Sequence, residues 1–175
     1  MSECPTAVIV AKPKRQSWAL EEAWDLAVAS HPEGRAEATR FPGVILVYTP
    51  ERDPYRFSVI AARGSRGFIQ RIVPAEKCLT PRTPEDITKL VEAAFSSVLN
   101  LAAYKGVRLI ASMRGRVKEL LDVNDIINTA LKAGVKLDRK GKAVVAVEGI
   151  DDIVIISAGI TYQCGPSCLL VYLKR

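Results

Sequence analysis

The chain has 175 residues, of which 49% are hydrophobic, so it can form one ordinary domain or two small ones around a buried core. Its 25 Lys and Arg residues against 19 Asp and Glu residues leave a net charge of +6 and a pI near 9.3. The composition excludes a chain that is too polar to fold, and the charge suits a polyanionic partner such as nucleic acid.

The first fifteen residues place their apolar stretch before their charges, which is the reverse of a secretory leader. Residues 153–173 carry no charge, and a stretch of this length can span a membrane. The turn-forming residues 162–167, with Gly165 and Pro166, interrupt any helix there. We therefore predict two buried strands, around 154–156 and 169–173, and no membrane span.

Four cysteines, Cys4, Cys78, Cys164 and Cys168, occur in this chain without a visible leader, which predicts a cytoplasmic protein with reduced thiols. Only three Asn and three Gln are present, a scarcity typical of heat-adapted proteins. Because heat-adapted cells admit intracellular disulfides, a bridge between Cys164 and Cys168 across the intervening turn stays open.

The first half alternates between strand and helix periods. Strands are expected at 7–11, 35–41, 44–49 and 68–73, and helices from Ser17 and from Asp53 to about 63. The first helix has apolar residues at helical spacing, namely Leu20, Ala23, Trp24, Ala27 and Val28. The order β-α-β-β-α-β predicts a ferredoxin-like domain over residues 1–80.

In the ferredoxin-like topology the last strand lies antiparallel beside the first, so the end of strand one meets the start of strand four. Five basic residues from these two places are then expected at one end of the sheet. These candidate RNA-binding residues are Lys12, Lys14, Arg15, Arg63 and Arg66.

The second half, residues 81–175, opens with a helix signature in which Thr83 is the cap, Pro84 is the first helical residue and Asp86 follows three residues after the cap. This helix is predicted to reach residue 104. Strands are expected at 107–116, 143–148 and 153–157, with a helix capped by Asp122 between the first two. In the first of these strands, alternation separates Val107, Leu109, Ala111 and Met113 from Arg108, Ile110, Ser112, Arg114 and Arg116.

Positive charge is concentrated in this half. Residues 114–142 hold eight basic residues against four acidic ones, whereas residues 143–173 hold no basic residue. A concentrated patch attracts phosphates, although composition alone leaves an ordinary solvated surface equally open. The candidate RNA-binding residues of this half are Arg108, Arg114, Arg116, Lys118, Lys132, Lys136, Arg139, Lys140 and Lys142.

The segments SMRGR, DIINTALKAG and VKLDRKGKAVVAVEGIDDIVIIS, all within residues 107–157, resemble the core of a THUMP domain. THUMP domains are RNA-binding modules of several tRNA-modifying enzymes, in which they follow a ferredoxin-like domain. Residues 71–77, RIVPAEK, resemble the corresponding segment of stand-alone THUMP proteins that assist tRNA cytidine acetyltransferases. The resemblance implies an α+β fold and binding of tRNA near its acceptor end, with Arg114 and Arg116 against phosphates. It also implies that a separate enzyme, such as an acetyltransferase, receives the tRNA.

Signatures of catalysis are not evident. His31 is the single histidine and is expected at a helix end, so a Ser-His-Asp triad is not supported. Cys164 and Cys168 lack the second ligand pair of a structural zinc site, and residues 64–67 lack the ending of a phosphate-binding P-loop. We therefore expect no catalytic residue, no metal and no cofactor. Two alternatives stay open: a small RNA-modifying enzyme with its site between the halves, and a protein-interaction module that does not bind RNA.

Overall fold

The computed structural model describes residues 3–99 and 106–174 and divides the chain into two compact units. The first unit consists of Pro5–Glu76 and Tyr162–Arg175, and the second of Met1–Cys4 and Lys77–Thr161. In chain order the elements are β1 (Ala7–Ala11), a 3-10 turn (Pro13–Arg15), α1 (Gln16–Ser30), β2 (Arg35–Ala38), β3 (Val44–Tyr48), α2 (Pro54–Ala61), β4 (Ile69–Pro74), β5 (Lys77–Leu79), α3 (Pro84–Leu99), β6 (Val107–Arg114), α4 (Val117–Leu120), α5 (Val123–Lys132), β7 (Ala143–Ile150), β8 (Ile153–Gly165) and β9 (Cys168–Tyr172).

The first unit has the predicted ferredoxin-like topology. Its strands follow the order β2-β3-β1-β4, and each neighbouring pair is antiparallel. The helices α1 and α2 pack against a core that contains Ile9, Ile45, Phe57 and Ile72. The β-α-β-β-α-β pattern read from the alternating periods is therefore confirmed.

A fifth strand from the far end of the chain extends this sheet. β9 lies parallel to β4, with Arg71 opposite Leu169 and Ile72 opposite Leu170. The backbone N–H of Leu173 donates to the Ser58 hydroxyl in α2 at 3.0 Å. Residues 162–175 thus complete the first unit.

Because β9 joins the sheet of the first unit, the boundary between the two units differs from the domain boundary predicted at residue 80. The sequence assigned residues 81–175 to a second domain because nothing in strand periodicity reveals which sheet a strand joins. In the structure, β9 belongs to the first unit, whereas β5 pairs with β8 of the second unit, with Cys78 opposite Ile155. The first unit is therefore discontinuous in sequence.

α1 buries only part of the expected apolar stripe, since Ala23 and Ala27 are buried and Leu20 packs against the core. Its buried residues are Ala19, Ala23, Leu26, Ala27 and Ser30. Trp24 and Val28, predicted to face the core, are 48% and 43% exposed. The predicted cap Ser17 is also wrong, because the 3-10 turn runs directly into the helix and no side chain caps it. Small alanines allow the close approach of helix and sheet, which leaves Trp24 and Val28 outside.

The second unit is a mixed sheet covered by helices on one face. β6 and β7 are parallel, β7 and β8 are antiparallel, and α4 and α5 connect β6 to β7. The core contains Val107 and Met113 of β6 together with Ile126 of α5 and Phe95 of α3. The predicted alternation in β6 is confirmed from Val107 to Met113, since the same core involves Leu109 and Ala111. The strand ends at Arg114 and not at residue 116, so Arg116 lies at the start of α4. The α+β fold class is confirmed in both units.

Both predicted helix starts of the second unit are confirmed. The Asp86 carboxylate accepts from the backbone N–H groups of Thr83 and Arg82 at 2.9 and 2.8 Å. Asp122 and Asp125 form a reciprocal capping box at the start of α5. The predicted end of the first helix, 100–104, lies outside the described residues. Neither β5 nor α4 was predicted.

The uncharged segment 153–173 forms two strands, β8 and β9, as predicted, but β8 continues through residues 162–165, which were expected in the turn. Within the described parts of the chain, no helix is long and apolar enough to cross a membrane. The expectation of reduced cysteines is not met, because Cys164 is bonded to Cys168 across the β8–β9 turn and Cys4 to Cys78 within the second unit.

Candidate RNA interface

The predicted basic residues of the second unit lie in two clusters at opposite ends of β6. The parallel register pairs Val107 with Ala143 at one end and Arg114 with Ile150 at the other. Eight residues at the usual strand rise separate these ends by roughly 23 Å. We call the group at the start of β6 the loop cluster (Arg108, Lys132, Lys136, Arg139, Lys140, Lys142) and the group at its end the turn cluster (Arg114, Arg116, Lys118).

The loop cluster is fixed by backbone hydrogen bonds to the start of β6. The N–H of Val107 donates to the carbonyl of Lys136, and the N–H of Asp138 donates to the carbonyl of Val107, both at 2.9 Å. A Cβ on Gly141 would lie 2.8 Å from the Arg108 nitrogen, so only glycine allows this approach. The loop therefore has a defined conformation that holds its charges in place.

Within the described part of the chain, no basic side chain of the loop cluster is in an ion pair. Residues 132–142 contain five basic residues and one acidic residue, Asp138. The Asp138 carboxylate accepts from the backbone N–H of Lys140 at 2.9 Å. All five basic side chains are exposed, while Arg108 is half-buried. Such a group is suited to binding several phosphates at once.

The turn cluster, by contrast, is paired within the protein. Arg114 Nη1 lies 2.8 Å from an oxygen of Glu148, whose side chain is fully buried. The Arg116 guanidinium contacts both oxygens of Asp152, at 2.8 and 3.0 Å. Lys118 is exposed and has Glu119 beside it in α4. The two arginines expected to grip phosphates are thus engaged with carboxylates.

The backbone around the turn cluster explains this pairing. The Asp151 N–H donates to the Arg114 carbonyl at 3.0 Å, and the Val117 N–H donates to the Asp151 carbonyl at 2.8 Å. Gly115 has a φ of 72°, and a Cβ there would lie 2.5 Å from the Asp151 carboxylate. The β7–β8 turn is therefore held against the end of β6, which brings Asp152 to Arg116.

In the first unit, Lys12, Lys14 and Arg15 are exposed on the 3-10 turn that follows β1. The β2–β3 turn lies against them, since the Gly43 N–H donates to Gln16 Oε1 at 2.7 Å and the Ala11 N–H donates to the Gly43 carbonyl at 2.8 Å. That turn also carries the exposed Arg40, which the sequence interpretation did not single out.

The end of β1 and the start of β4 are paired as predicted, with Ala11 opposite Ile69. Arg63 and Arg66 do not join the basic residues at the end of β1. Both line a groove along α1 and α2 that also includes Asp25 and Arg56. Arg66 Nη2 donates to the Arg63 carbonyl at 3.3 Å. None of Lys12, Lys14 or Arg15 lines this groove.

Two aromatic residues that sequence reasoning missed stand beside the basic 3-10 turn. The rings of Trp18 and Phe68 meet edge to face, 4.7 Å between centroids, and Trp18 is 58% exposed. The Arg15 guanidinium lies 5.9 Å from the Phe68 centroid. The sequence offered one indication of this pair, a tryptophan three residues after the basic residue Arg15. Trp18 was not considered because it is not part of the apolar stripe predicted for α1.

The residues considered for catalysis do not form a cluster. His31 lies at the end of α1, as predicted, and its Nδ1 accepts from the Glu33 N–H at 3.1 Å. Among the described residues, no three His, Cys, Asp or Glu side chains come together in a way that could hold a metal ion.

No protein-family model matches the sequence, and no curated protein is similar to it. Among solved structures, PH1313 from Pyrococcus horikoshii OT3 has a TM-score of 0.59 at 16% identity, covering 93% of this chain and 56% of that one. TrmN from Thermus thermophilus has a TM-score of 0.50 at 16% identity, covering 87% of this chain and 44% of that one. The chain thus spans about half the length of these structures. At this identity they share a fold with this protein, in agreement with the α+β class.

Proposed function

We propose that the chain is a cytoplasmic tRNA-binding protein whose principal phosphate contact is the loop cluster. The observation that carries the proposal is the group of five exposed basic residues at 132–142, none of which is in an ion pair among the residues that the structure describes. Arg139 supplies a guanidinium fork suited to phosphate oxygens, and the lysines add point charges. The THUMP-like sequence pattern around this loop directs the proposal to tRNA.

We do not assign the principal phosphate contact to Arg114 and Arg116. Their guanidiniums already bind Glu148 and Asp152, so a phosphate would have to compete with an internal carboxylate. The 3-10 turn with Lys12, Lys14 and Arg15 supplies a second exposed basic group in the first unit. We assign these two groups the main share of the electrostatic attraction.

The test is a titration of the full chain with tRNA at increasing salt concentration. Arg139→Ala/Lys140→Ala should weaken binding clearly at low salt. Arg116→Ala/Lys118→Ala is the matched control, because it removes the same two charges from the other end of β6. Equal losses in both variants would contradict a contact centred on the loop cluster, and no tRNA binding at low salt would refute the proposed function.

We further propose that the chain presents tRNA to a separate modifying enzyme, such as a cytidine acetyltransferase, and performs no chemistry itself. Support comes from the resemblance of residues 71–77 to the acetyltransferase-assisting proteins. Acetylated cytidine in tRNA, measured by mass spectrometry, should increase when the chain is added to the enzyme. The increase should be smaller with Arg139→Ala/Lys140→Ala. Modification of tRNA by the chain alone would instead favour a small RNA-modifying enzyme.

A further inference from the structure

The exposed ring of Trp18 is unusual for a residue with so much apolar surface. It is 58% exposed although it belongs to α1, whose alanines pack against the sheet. A second tryptophan of the same helix, Trp24, is 48% exposed. The ring of Trp18 packs edge to face against the ring of Phe68. Trp18 follows Arg15 by three residues and lies in a stretch, residues 5–20, that contains no acidic residue.

The partner ring is held in a fixed position. The Glu22 carboxylate accepts three backbone hydrogen bonds, from Gly67 at 2.7 Å, Phe68 at 3.1 Å and Ile69 at 3.0 Å. The three N–H dipoles partly offset the negative charge of the Glu22 carboxylate. The same hydrogen bonds order the segment that carries Phe68 before any ligand binds, which lowers the entropic cost of binding.

The positive charges beside the rings of Trp18 and Phe68 indicate which class of ligand would bind there. Lys12, Lys14 and Arg15 are exposed on the adjoining 3-10 turn, and the Arg15 guanidinium lies over the Phe68 ring. A planar group attached to an anionic chain satisfies both features, since its ring stacks on an aromatic side chain while its phosphates meet the cations. An unpaired nucleotide has this chemistry, whereas a base inside a duplex has no free face to stack.

We propose that Trp18, supported by Phe68, is a stacking site for an unpaired base of the bound RNA, with Arg15 and Lys14 binding the adjoining phosphates. The inference rests on the proposed RNA binding and adds a single-stranded component to it. The loop cluster binds phosphates of either paired or unpaired RNA, while the Trp18 site discriminates between them. Trp18 is thus assigned a role in specificity.

The test compares a short oligouridylate with a blunt RNA duplex of the same length, both titrated against the full chain. Trp18→Ala should weaken oligouridylate binding by about 5- to 150-fold, the usual value of one base–aromatic stack. Duplex binding should be unchanged. Trp18→Phe should retain most of the affinity, and the matched control Trp24→Ala, which removes the other exposed indole of α1, should retain all of it.

A spectroscopic readout separates stacking from a structural effect. In a Trp24→Phe protein, Trp18 is the only tryptophan, so quenching of its fluorescence by oligouridylate reports on direct contact. Unchanged oligouridylate binding in Trp18→Ala would overturn the stacking site. If the wild type still binds tRNA, the proposed function is not affected by that result. Equal losses in Trp18→Ala and Trp24→Ala would also overturn it. Failure of the wild type to bind any RNA would remove the proposed function and the stacking site together.

Discussion

The guanidinium of Arg114 lies 2.8 Å from the carboxylate of Glu148, which is fully buried in β7. A buried charge that loses its partner is far more costly than an exposed pair is stabilising. The pair therefore stabilises the second unit. The stability of each Arg114 variant has to be measured before its RNA binding is interpreted.

Arg114→Ala should lower the free energy of unfolding by roughly 3 kcal/mol, because Glu148 then loses its guanidinium partner in a buried site. The measurement is chemical denaturation followed by circular dichroism. The double variant Arg114→Met/Glu148→Gln should recover a large part of the loss, and Arg116→Ala, which breaks an exposed pair, should cost well under about 1 kcal/mol. A loss no larger in Arg114→Ala than in Arg116→Ala would contradict this interpretation.

The salt dependence of tRNA binding should identify the loop cluster. Each phosphate contact removed is expected to reduce the slope of log K against log salt by about one. Arg139→Ala/Lys140→Ala should therefore flatten the slope by about two. Arg116→Ala/Lys118→Ala should flatten it less, since Arg116 is held by Asp152. The reverse order of the two slopes would place the RNA at the turn cluster.

The two disulfides should contribute unequally to stability. Cys4 and Cys78 are separated by 74 residues, whereas Cys164 and Cys168 are separated by 4. From loop-closure entropy, Cys4→Ala/Cys78→Ala should cost about 4 kcal/mol and Cys164→Ala/Cys168→Ala about 2 kcal/mol. Denaturation with and without a reducing agent measures both. Titration of free thiols in the unfolded, unreduced protein is the control, and it should detect none.

The cap of α3 should make stability depend on acid pH. Backbone hydrogen bonds from Arg82 and then Thr83 lower the pKa of Asp86 below its ordinary value of 3.8. Because the folded pKa lies below the unfolded one, the contribution is complete above about pH 4 and is lost as the pH falls through the folded pKa. Asp86→Asn should therefore lower Tm at neutral pH, and the difference from the wild type should shrink in acid.

Glu85→Gln is the control for this prediction, because it removes the neighbouring exposed carboxylate from the same helical turn. It should leave the acid dependence close to that of the wild type. A Tm difference between wild type and Asp86→Asn that stays constant through the acid range would contradict a charged cap.

Local features of the fold could be predicted because they depend on neighbouring residues. The capping residues Asp86 and Asp122, the alternation in β6 and the order of the first six elements all follow from short-range patterns. The pairing of β9 with β4 could not, because its apolar run suits any buried strand. The same limit applies to Trp18, whose exposure depends on which face of α1 the alanines bury.

The candidate interface was predictable in composition but not in arrangement. The eight basic residues of 114–142 are close in sequence, yet a parallel β6–β7 pair sends the chain from one end of the sheet to the other between Arg114 and Lys142. The carboxylates that pair with the turn cluster, Glu148 and Asp152, come from β7 and the turn after it. Net charge counted along the chain cannot reveal such compensation.

The discontinuity of the first unit determines the order in which the chain can finish folding. During synthesis β4 emerges before the second unit, but its parallel partner β9 emerges after it. Until then the edge of β4 is left without that partner, and an open strand edge invites pairing with other chains. The second unit, which ends at Thr161, has all of its strands before β9 exists. The unit that contains β1 to β4 is thus completed only after the second unit has been synthesised, when its closing strand β9 follows.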